Sequence, residues 1–177
     1  MKISRDRVSQ QKLNNTNRNK PININYNAKA ILIGTLLGDS SVSKYYRDCV
    51  SAKILNSSIT CGHSYSQKEY VLYLKQLLEK EGLKVNYTEN KNKIPHIIKG
   101  KHCICNGRCD LRITRNIIFN TWRDTWYPEG KKVVPKEIID YISPISIAIW
   151  FMDDGTKNNC SYYLHTEGFT IEDTKFL

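Results

Sequence analysis

The 177-residue chain has no apolar run long enough to cross a bilayer, which takes roughly 20 residues. Its first residues, Met-Lys-Ile-Ser-Arg, are too polar for a secretory signal. We therefore expect an intracellular protein that has no membrane partner. The frequent use of Asn, Ile, Lys and Tyr is typical of an AT-rich genome, which leaves an organelle, a bacterium and a phage open as the compartment.

The chain is poor in acid relative to base, with 17 Asp and Glu against 27 Lys and Arg and a formal net charge of +10. Such a surplus attracts polyanions, and nucleic acid is the commonest polyanionic partner. The composition alone would suit a ribosome-associated protein equally well.

The chain also lacks the two separated Cys-x2-Cys pairs of a typical structural zinc site. Six cysteines without a secretory signal indicate reduced thiols rather than a disulfide framework. Zinc remains the alternative for one cluster, in which His102 stands beside Cys103, Cys105 and Cys109 around a turn at residues 106–107.

Two apolar stretches that end in acid dominate the pattern. Leu-Ile-Gly-Thr-Leu-Leu-Gly-Asp-Ser at residues 32–40 aligns without a gap with Ile-Ala-Ile-Trp-Phe-Met-Asp-Asp-Gly at residues 147–155, so Asp39 and Asp154 share one position. If both stretches are helices, each acid lies at the end where the helix dipole disfavours a carboxylate. This placement indicates that a cation binds there.

The flanking residues predict two helices that pack side by side. Ser143 and Pro144 form a helix start, and Asn27 would cap the earlier helix. Gly34 and Gly38 are four residues apart, so they lie on one helical face where a second backbone can approach closely. Packing along that face would bring the two acids together.

The periodicity predicts the order helix, two strands, helix, two strands, helix over the first 127 residues. These elements are expected at residues 28–39, 41–46, 57–63, 66–82, 84–88, 110–115 and 117–126. Ser66-Gln67-Lys68-Glu69 would be the capping box of the middle helix. Residues 89–106 would form a long basic connection. After the second acidic stretch we expect a hairpin turning at residues 158–159 and a helix start at residue 170.

Helices on one face of four strands would leave the other sheet face uncovered, and the alternation places Lys, Arg, Ser and Thr there. An antiparallel ribbon can enter a DNA major groove. The candidate contacts to bases or phosphates are Lys44, Arg47, Lys53, Lys91, Lys93, Arg112 and Arg115. For each of them, a solvated surface charge is the alternative.

The two acidic stretches resemble the paired motifs of the LAGLIDADG homing endonucleases, in their single-chain branch. Lys-Lys-Val-Val-Pro at residues 131–135 and Leu-His-Thr-Glu-Gly-Phe-Thr at residues 164–170 are similar to the segments that flank the second motif. The resemblance covers residues 28–177. It implies an α+β fold, the LAGLIDADG saddle, in which an αββαββα half-domain carries an antiparallel DNA-binding sheet.

The resemblance implies site-specific hydrolysis of double-stranded DNA, with a staggered cut and Mg2+ as cofactor. Asp39 and Asp154 would be the catalytic metal ligands, with the carbonyls of Gly38 and Asp153 as helpers; the Asp153 side chain would face solvent. Lys132 matches the family's basic residue before the second motif, where an ammonium stabilises developing charge or orients water. An exposed linker lysine is the alternative for Lys132.

The predicted organisation is a basic flexible arm at residues 1–26, a first half-domain at 27–127, a linker at 128–142 and the start of a second half-domain at 143–177. The first acid is followed by 88 residues up to Tyr127 (127 − 39), whereas 23 follow Asp154 (177 − 154). We therefore expect a shortened, incomplete second half.

We expect a monomer, because no interface beyond the two motif helices is visible. Two other functions stay open: an RNA-splicing maturase of the same fold that binds intron RNA, and a catalytically inactive remnant that still binds DNA. The presence of both acids favours the nuclease, and the short second half favours the remnant.

Overall fold

The helices and strands follow the apolar pattern, with two short hairpins added. The computed structural model describes residues 20–47, 54–92, 94–98, 101–105 and 107–177, without the side chains of residues 47, 54, 94–98 and 101–105. The helices are α1 (Tyr26–Leu37), α2 (Lys68–Lys80), α3 (Ile118–Trp126), α4 (Pro144–Asp154) and α5 (Ile171–Phe176). The strands are β1 (Ser41–Val42), β2 (Tyr46–Arg47), β3 (Ile54–Leu55), β4 (Ile59–Ser64), β5 (Val85–Asn90), β6 (Ile94–Ile98), β7 (Lys101–Cys105), β8 (Arg108–Ile113), β9 (Gly155–Asn158) and β10 (Ser161–Leu164).

The main sheet has the strand order β1-β4-β8-β5, and all its pairs are antiparallel. Side chains alternate along the central strands as the sequence predicts. Ile59, Cys61 and His63 of β4 face the interior, while Thr60 pairs across the sheet with the exposed Arg112 of β8. This confirms a mixed helix and antiparallel-sheet fold with a polar outer sheet face.

The core lies between the inner sheet face and the helices. The apolar stripe of α2, formed by Val71, Leu74 and Leu78, is buried against the sheet, and Phe119 and Trp126 of α3 join the same cluster. Since α1 also packs on α2 and α4, it is almost wholly buried, whereas α4 buries Ile149 and Trp150 and leaves Ile147 and Met152 exposed.

The starts of the helices differ in part from the prediction. The N-cap of α1 is Asn25, whose Oδ1 accepts from the Ala28 N–H at 2.8 Å, and not Asn27, which lies inside the first turn. The predicted capping box at Ser66 is wrong because residues 65–67 form a 3-10 turn, and α2 begins at Lys68 without a side-chain cap. Ser143 and Pro144 do start α4.

Three segments that were predicted to be irregular contain structure. Residues 89–106 include the antiparallel hairpin of β6 and β7, so this is not one long connection. The predicted linker contains a 3-10 helix (Lys136–Tyr141) whose Ile138 is buried. Of the predicted arm, residues 1–19 lie outside the described chain, and residues 20–25 pack against the body through buried Ile24.

Three of the six cysteines have side chains that the structure describes. Cys61, Cys109 and Cys160 are free, as predicted. The zinc alternative at residues 102, 103 and 105 falls on side chains outside the described set. Over the part of the chain that the structure describes, no helix is long and apolar enough to span a membrane.

Two glycines let α1 and α4 pack backbone against backbone. A Cβ atom added at Gly34 would lie 2.6 Å from the Ser146 carbonyl oxygen, and one added at Gly38 would overlap the Asp153 side chain. The first neighbour is backbone of the partner helix and cannot rotate away. The close approach of the two helices therefore depends on the absence of these side chains.

We predict that Gly34→Ala lowers the free energy of unfolding by ~1–2 kcal/mol. Overpacking costs ~1–3 kcal/mol, and the better helix propensity of alanine returns only about 1 kcal/mol. Gly168→Ala is the control, because a Cβ there meets no atom within 4 Å. Urea denaturation measures both, and equal midpoints for the two variants would contradict a tight helix contact.

Candidate active site at the ends of two helices

The C-terminal ends of α1 and α4 bring the two motif acids into one site. Asp39 directly follows the C-cap Gly38 and is exposed, whereas Asp154 is the last residue of α4 and is half-buried. Burial and then the nearby Asp39 carboxylate raise the pKa of Asp154 above its usual range. The Asp39 carboxylate therefore lies near enough to act electrostatically on Asp154.

Lys132 is half-buried beside these acids. Its Nζ donates to the carbonyl oxygens of Gly38 at 3.1 Å and Ser40 at 2.9 Å. Burial lowers the pKa of Lys132 to about 8, and the carboxylates of Asp154 and Asp39 oppose this shift. A cation thus lies at the C-terminal end of α1, where the helix dipole favours positive charge.

The Asp153 side chain points into the protein and not to solvent, contrary to expectation. Its Oδ1 accepts from the Tyr70 hydroxyl at 2.6 Å, and its Oδ2 accepts from the Asp39 N–H at 3.4 Å. Burial raises the pKa of Asp153 to about 7. This carboxylate therefore links the end of α4 to α2 and to the end of α1.

Strand β4 contributes a part of the site that was not predicted from the sequence. His63 Nδ1 lies 3.3 Å from Asp39 Oδ2, and His63 Nε2 lies 3.4 Å from Asp153 Oδ1 and 3.1 Å from the Cys61 sulfur. Burial lowers the pKa of His63 and raises that of Cys61 to about 12. The alternation of inward and outward residues along β4 could have indicated this role for His63, because a histidine on the inner face of a strand needs buried polar partners.

A second missed residue, His165, lies beside Asp154. Its N–H donates to the Asp154 carbonyl oxygen at 3.4 Å, and its ring nitrogens contact Thr156 Oγ1 at 2.8 Å and Glu167 Oε1 at 3.2 Å. These residues belong to β9 and the segment that follows β10. The His165 backbone N–H thus contacts Asp154, and the His165 ring lies in a small polar network of its own.

A groove of about 500 Å3 runs along the outer sheet face from Asp39. Most of the sheet residues that line it are polar or charged, and they include Thr60, Asn86, Thr88, Arg108, Asp110 and Arg112. Arg108 Nε donates to Asp110 Oδ1 at 2.6 Å, and the Arg108 guanidinium lies where a Cβ at Gly62 would be. The groove combines hydrogen-bond donors and acceptors, and two arginines line it together with two aspartates.

The residues predicted to contact DNA lie in different surroundings: one lines the groove, two are exposed and one is half-buried. Arg112 lines the groove, and Lys44 and Lys91 are exposed, the latter 3.6 Å from Glu89. Arg115 is half-buried and donates to the Asn56 carbonyl oxygen at 2.7 Å, and its contact with DNA stays a prediction. Arg47, Lys53 and Lys93 have side chains outside the described residues. Asn86, Thr88 and Arg108 were not among the predicted contacts.

The profile of the LAGLIDADG DNA endonuclease family matches residues 29–177. The chain belongs to this family. The match begins in α1 and continues through α5, so it includes both acidic helix ends and Lys132.

Among its relatives is a Debaryomyces hansenii protein named Cytochrome b mRNA maturase bI2, which is 30% identical over 170 residues, or 91% of this chain and 57% of the relative. A Wickerhamomyces canadensis protein named "Probable intron-encoded endonuclease 1" is 42% identical over 55 residues, 27% of this chain and 24% of that protein. The chain thus spans little more than half the length of the maturase.

The solved structure of the homing endonuclease I-WcaI bound to its DNA recognition sequence has the same fold. The TM-score is 0.62 at 22% sequence identity, and the match covers 88% of this chain and 66% of that one. The LAGLIDADG saddle predicted from the paired motifs is confirmed.

We predict that Tyr70→Phe lowers the free energy of unfolding by ~1–3 kcal/mol. The variant keeps the ring in place but leaves the buried Asp153 carboxyl without its 2.6 Å hydrogen bond. Tyr73→Phe, at an exposed position of the same helix, is the matched control. Thermal or urea denaturation at pH 7.5 measures both, and equal losses would argue against a structural role for the Tyr70 hydroxyl.

Proposed function

We propose that this LAGLIDADG protein is a site-specific endonuclease that cuts both strands of double-stranded DNA by metal-dependent phosphodiester hydrolysis. The observation that carries the proposal is the convergence of Asp39 and Asp154 at two adjoining helix ends, with the Lys132 ammonium on the carbonyls that flank Asp39 and the groove beginning at Asp39. Both acids come from one chain, so the proposed active form is a monomer. We also propose that it acts inside the cell.

The donor set fits Mg2+. Asp39 and Asp154 offer hard carboxylate oxygens, which Mg2+ prefers. Burial and repulsion by Asp39 raise the pKa of Asp154, and a nearby cation would relieve that repulsion. Bound Mg2+ would supply charge neutralisation at the phosphate and an activated water. The Gly38 carbonyl already accepts from Lys132, which leaves it one lone pair for a helping contact, and Asp153 would help through its backbone carbonyl.

The other residues hold this arrangement and stabilise charge. Lys132, protonated at neutral pH and tied to two carbonyls, places an ammonium where negative charge develops on a phosphate. Asp153 and His63 position the Asp39 backbone and side chain. Since these groups are fixed before substrate binds, little reorganisation is needed during hydrolysis.

The outer sheet face would bind the duplex. Arg112 and Arg108 stand with Asn86 and Thr88 on neighbouring strands, a spacing suited to base edges and phosphates in a major groove. Lys44 and Lys91 would add phosphate contacts from the rim, with Arg47, Lys53 and Lys93 as further predicted contacts. The DNA-bound state of I-WcaI supports this assignment through the shared fold.

An RNA-splicing maturase is the second candidate. The observation that favours it is the 30% identity to the Debaryomyces maturase over 91% of this chain. A maturase needs the basic surface for intron RNA but not both acids. Binding to the folded intron, compared with a DNA duplex of the joined exons at one salt concentration, separates the two functions.

We predict that Asp39→Asn and Asp154→Asn each abolish linearisation of a supercoiled plasmid that carries the joined sequences flanking this gene. Each change removes one metal-binding charge and little volume. Asp140→Asn, an exposed acid of the 3-10 helix, is the control and should cut like the parent chain. Gel electrophoresis with Mg2+ measures the product, and folded, DNA-binding parent protein that leaves the plasmid intact would rule out the enzyme proposal.

We predict that Arg112→Ala weakens binding to the target duplex by about tenfold. An arginine contact to DNA contributes ~1–3 kcal/mol to the binding free energy, and the larger values belong to bidentate recognition of a base. Lys175→Ala, an exposed base on α5, is the control. Fluorescence anisotropy at two salt concentrations in Ca2+ measures both. Equal affinities for the two variants would place the DNA elsewhere on the molecule.

A further inference from the structure

Three buried side chains beneath the paired acids are arranged like metal ligands. Cys61 Sγ, His63 Nε2 and an Asp153 carboxylate oxygen all lie within 4.8 Å of one another. The sulfur is 3.1 Å and the Asp153 Oδ1 is 3.4 Å from the imidazole nitrogen. A tetrahedral zinc ion with bonds of about 2.0–2.3 Å holds its ligand atoms roughly 3.3–3.8 Å apart, so small side-chain shifts would complete the geometry.

We propose that Cys61, His63 and the Asp153 side chain form a binding site for Zn2+, distinct from the neighbouring Mg2+ site, to which Asp153 would offer only its backbone carbonyl. A thiolate and an imidazole are ligands that zinc prefers and that Mg2+ avoids. The charges also balance, since one thiolate and one carboxylate neutralise a divalent cation inside the protein. A water molecule would take the fourth position.

The position of His63 between two acids fits a cation bound to its Nε2 atom. Its two ring nitrogens face two acids, Asp39 through Nδ1 and Asp153 through Nε2. A neutral imidazole carries one proton and can donate to only one of them. His63 Nδ1 makes no well-aligned hydrogen bond within the described residues, although the whole residue is only 4% exposed. A cation on Nε2 would leave the proton on Nδ1, where it faces Asp39.

The surroundings would orient the ligands as they do in zinc proteins. Tyr70 donates to Asp153 Oδ1 and packs its ring edge-on against His63 at a centroid distance of 5.3 Å. The Asp39 N–H binds the other Asp153 oxygen. Hydrogen bonds of this kind to metal-binding carboxylates fix their direction and raise affinity. Cys61 also borders the groove that begins at Asp39, which gives a path to solvent.

Zinc at this site would act on the paired acids through His63. The Nδ1–H, 3.3 Å from Asp39 Oδ2, would hold that carboxylate in one orientation. This consequence rests on the proposed function, but zinc binding itself does not, so the two are tested apart.

The test adds Co2+ to the chelator-treated full chain without DNA or Mg2+. Co2+ bound to a thiolate gives a near-ultraviolet charge-transfer band, and we expect it to saturate at one equivalent and to vanish when Zn2+ displaces the cobalt. Cys61→Ser should abolish the band. It should also weaken Zn2+ binding by more than the roughly 10- to 100-fold that loss of a supporting group costs.

Matched variants locate the site. Cys160→Ser removes an exposed thiol, and Cys105→Ser removes one ligand of the competing cluster at residues 102–109; both should keep the band. Asp153→Asn should keep the band but bind Zn2+ more weakly. His63→Gln serves as a second ligand variant if circular dichroism shows that Cys61→Ser does not fold.

Two results would overturn the proposal. One is the absence of a charge-transfer band in the folded parent chain. The other is a band that survives Cys61→Ser and disappears in Cys105→Ser. Either would leave these three residues as a hydrogen-bonded cluster of the core.

Discussion

The contact between α1 and α4 is the constraint on which the rest of this structure depends. Gly34 lies against the Ser146 backbone, and Gly38 lies against the Asp153 side chain, so the two helices approach more closely than side chains would allow. Because the contact includes the last turn of each helix, both C-terminal ends meet at one point. The positions of Asp39, Asp153 and Asp154 follow from this contact.

Three carboxylates and two negative helix ends at one point are unfavourable without compensation. The protein supplies it in three ways: the Lys132 ammonium on the carbonyls that end α1, the Tyr70 hydroxyl on Asp153, and the His63 ring between two acids. These groups come from the segment before α4, from α2 and from β4. The site therefore holds a cluster of charge whose balance changes when cations bind.

Local pattern was enough to predict the motif helices, the glycine face and the alternation of the main strands, because each depends on residues close in sequence. It was not enough where two similar residues compete, as with Asn25 and Asn27, since only the backbone conformation decides which one caps. The β6–β7 hairpin was missed because Pro95 and the basic residues around it resemble a loop. Asp39 and Asp154 could be predicted from their motifs. The roles of His63 and Tyr70 could not, because they depend on partners on other helices and strands.

The helix contact also has a consequence for how the chain is made. Gly34 leaves the ribosome long before Ser146, which lies 112 positions later in the sequence (146 − 34). At ~5–20 residues per second, synthesis leaves the matching face of α1 without its partner for about 6–20 s. Nine of the 12 residues of α1 are buried in the folded protein, so the nascent chain carries an apolar helix that needs protection from aggregation during that time.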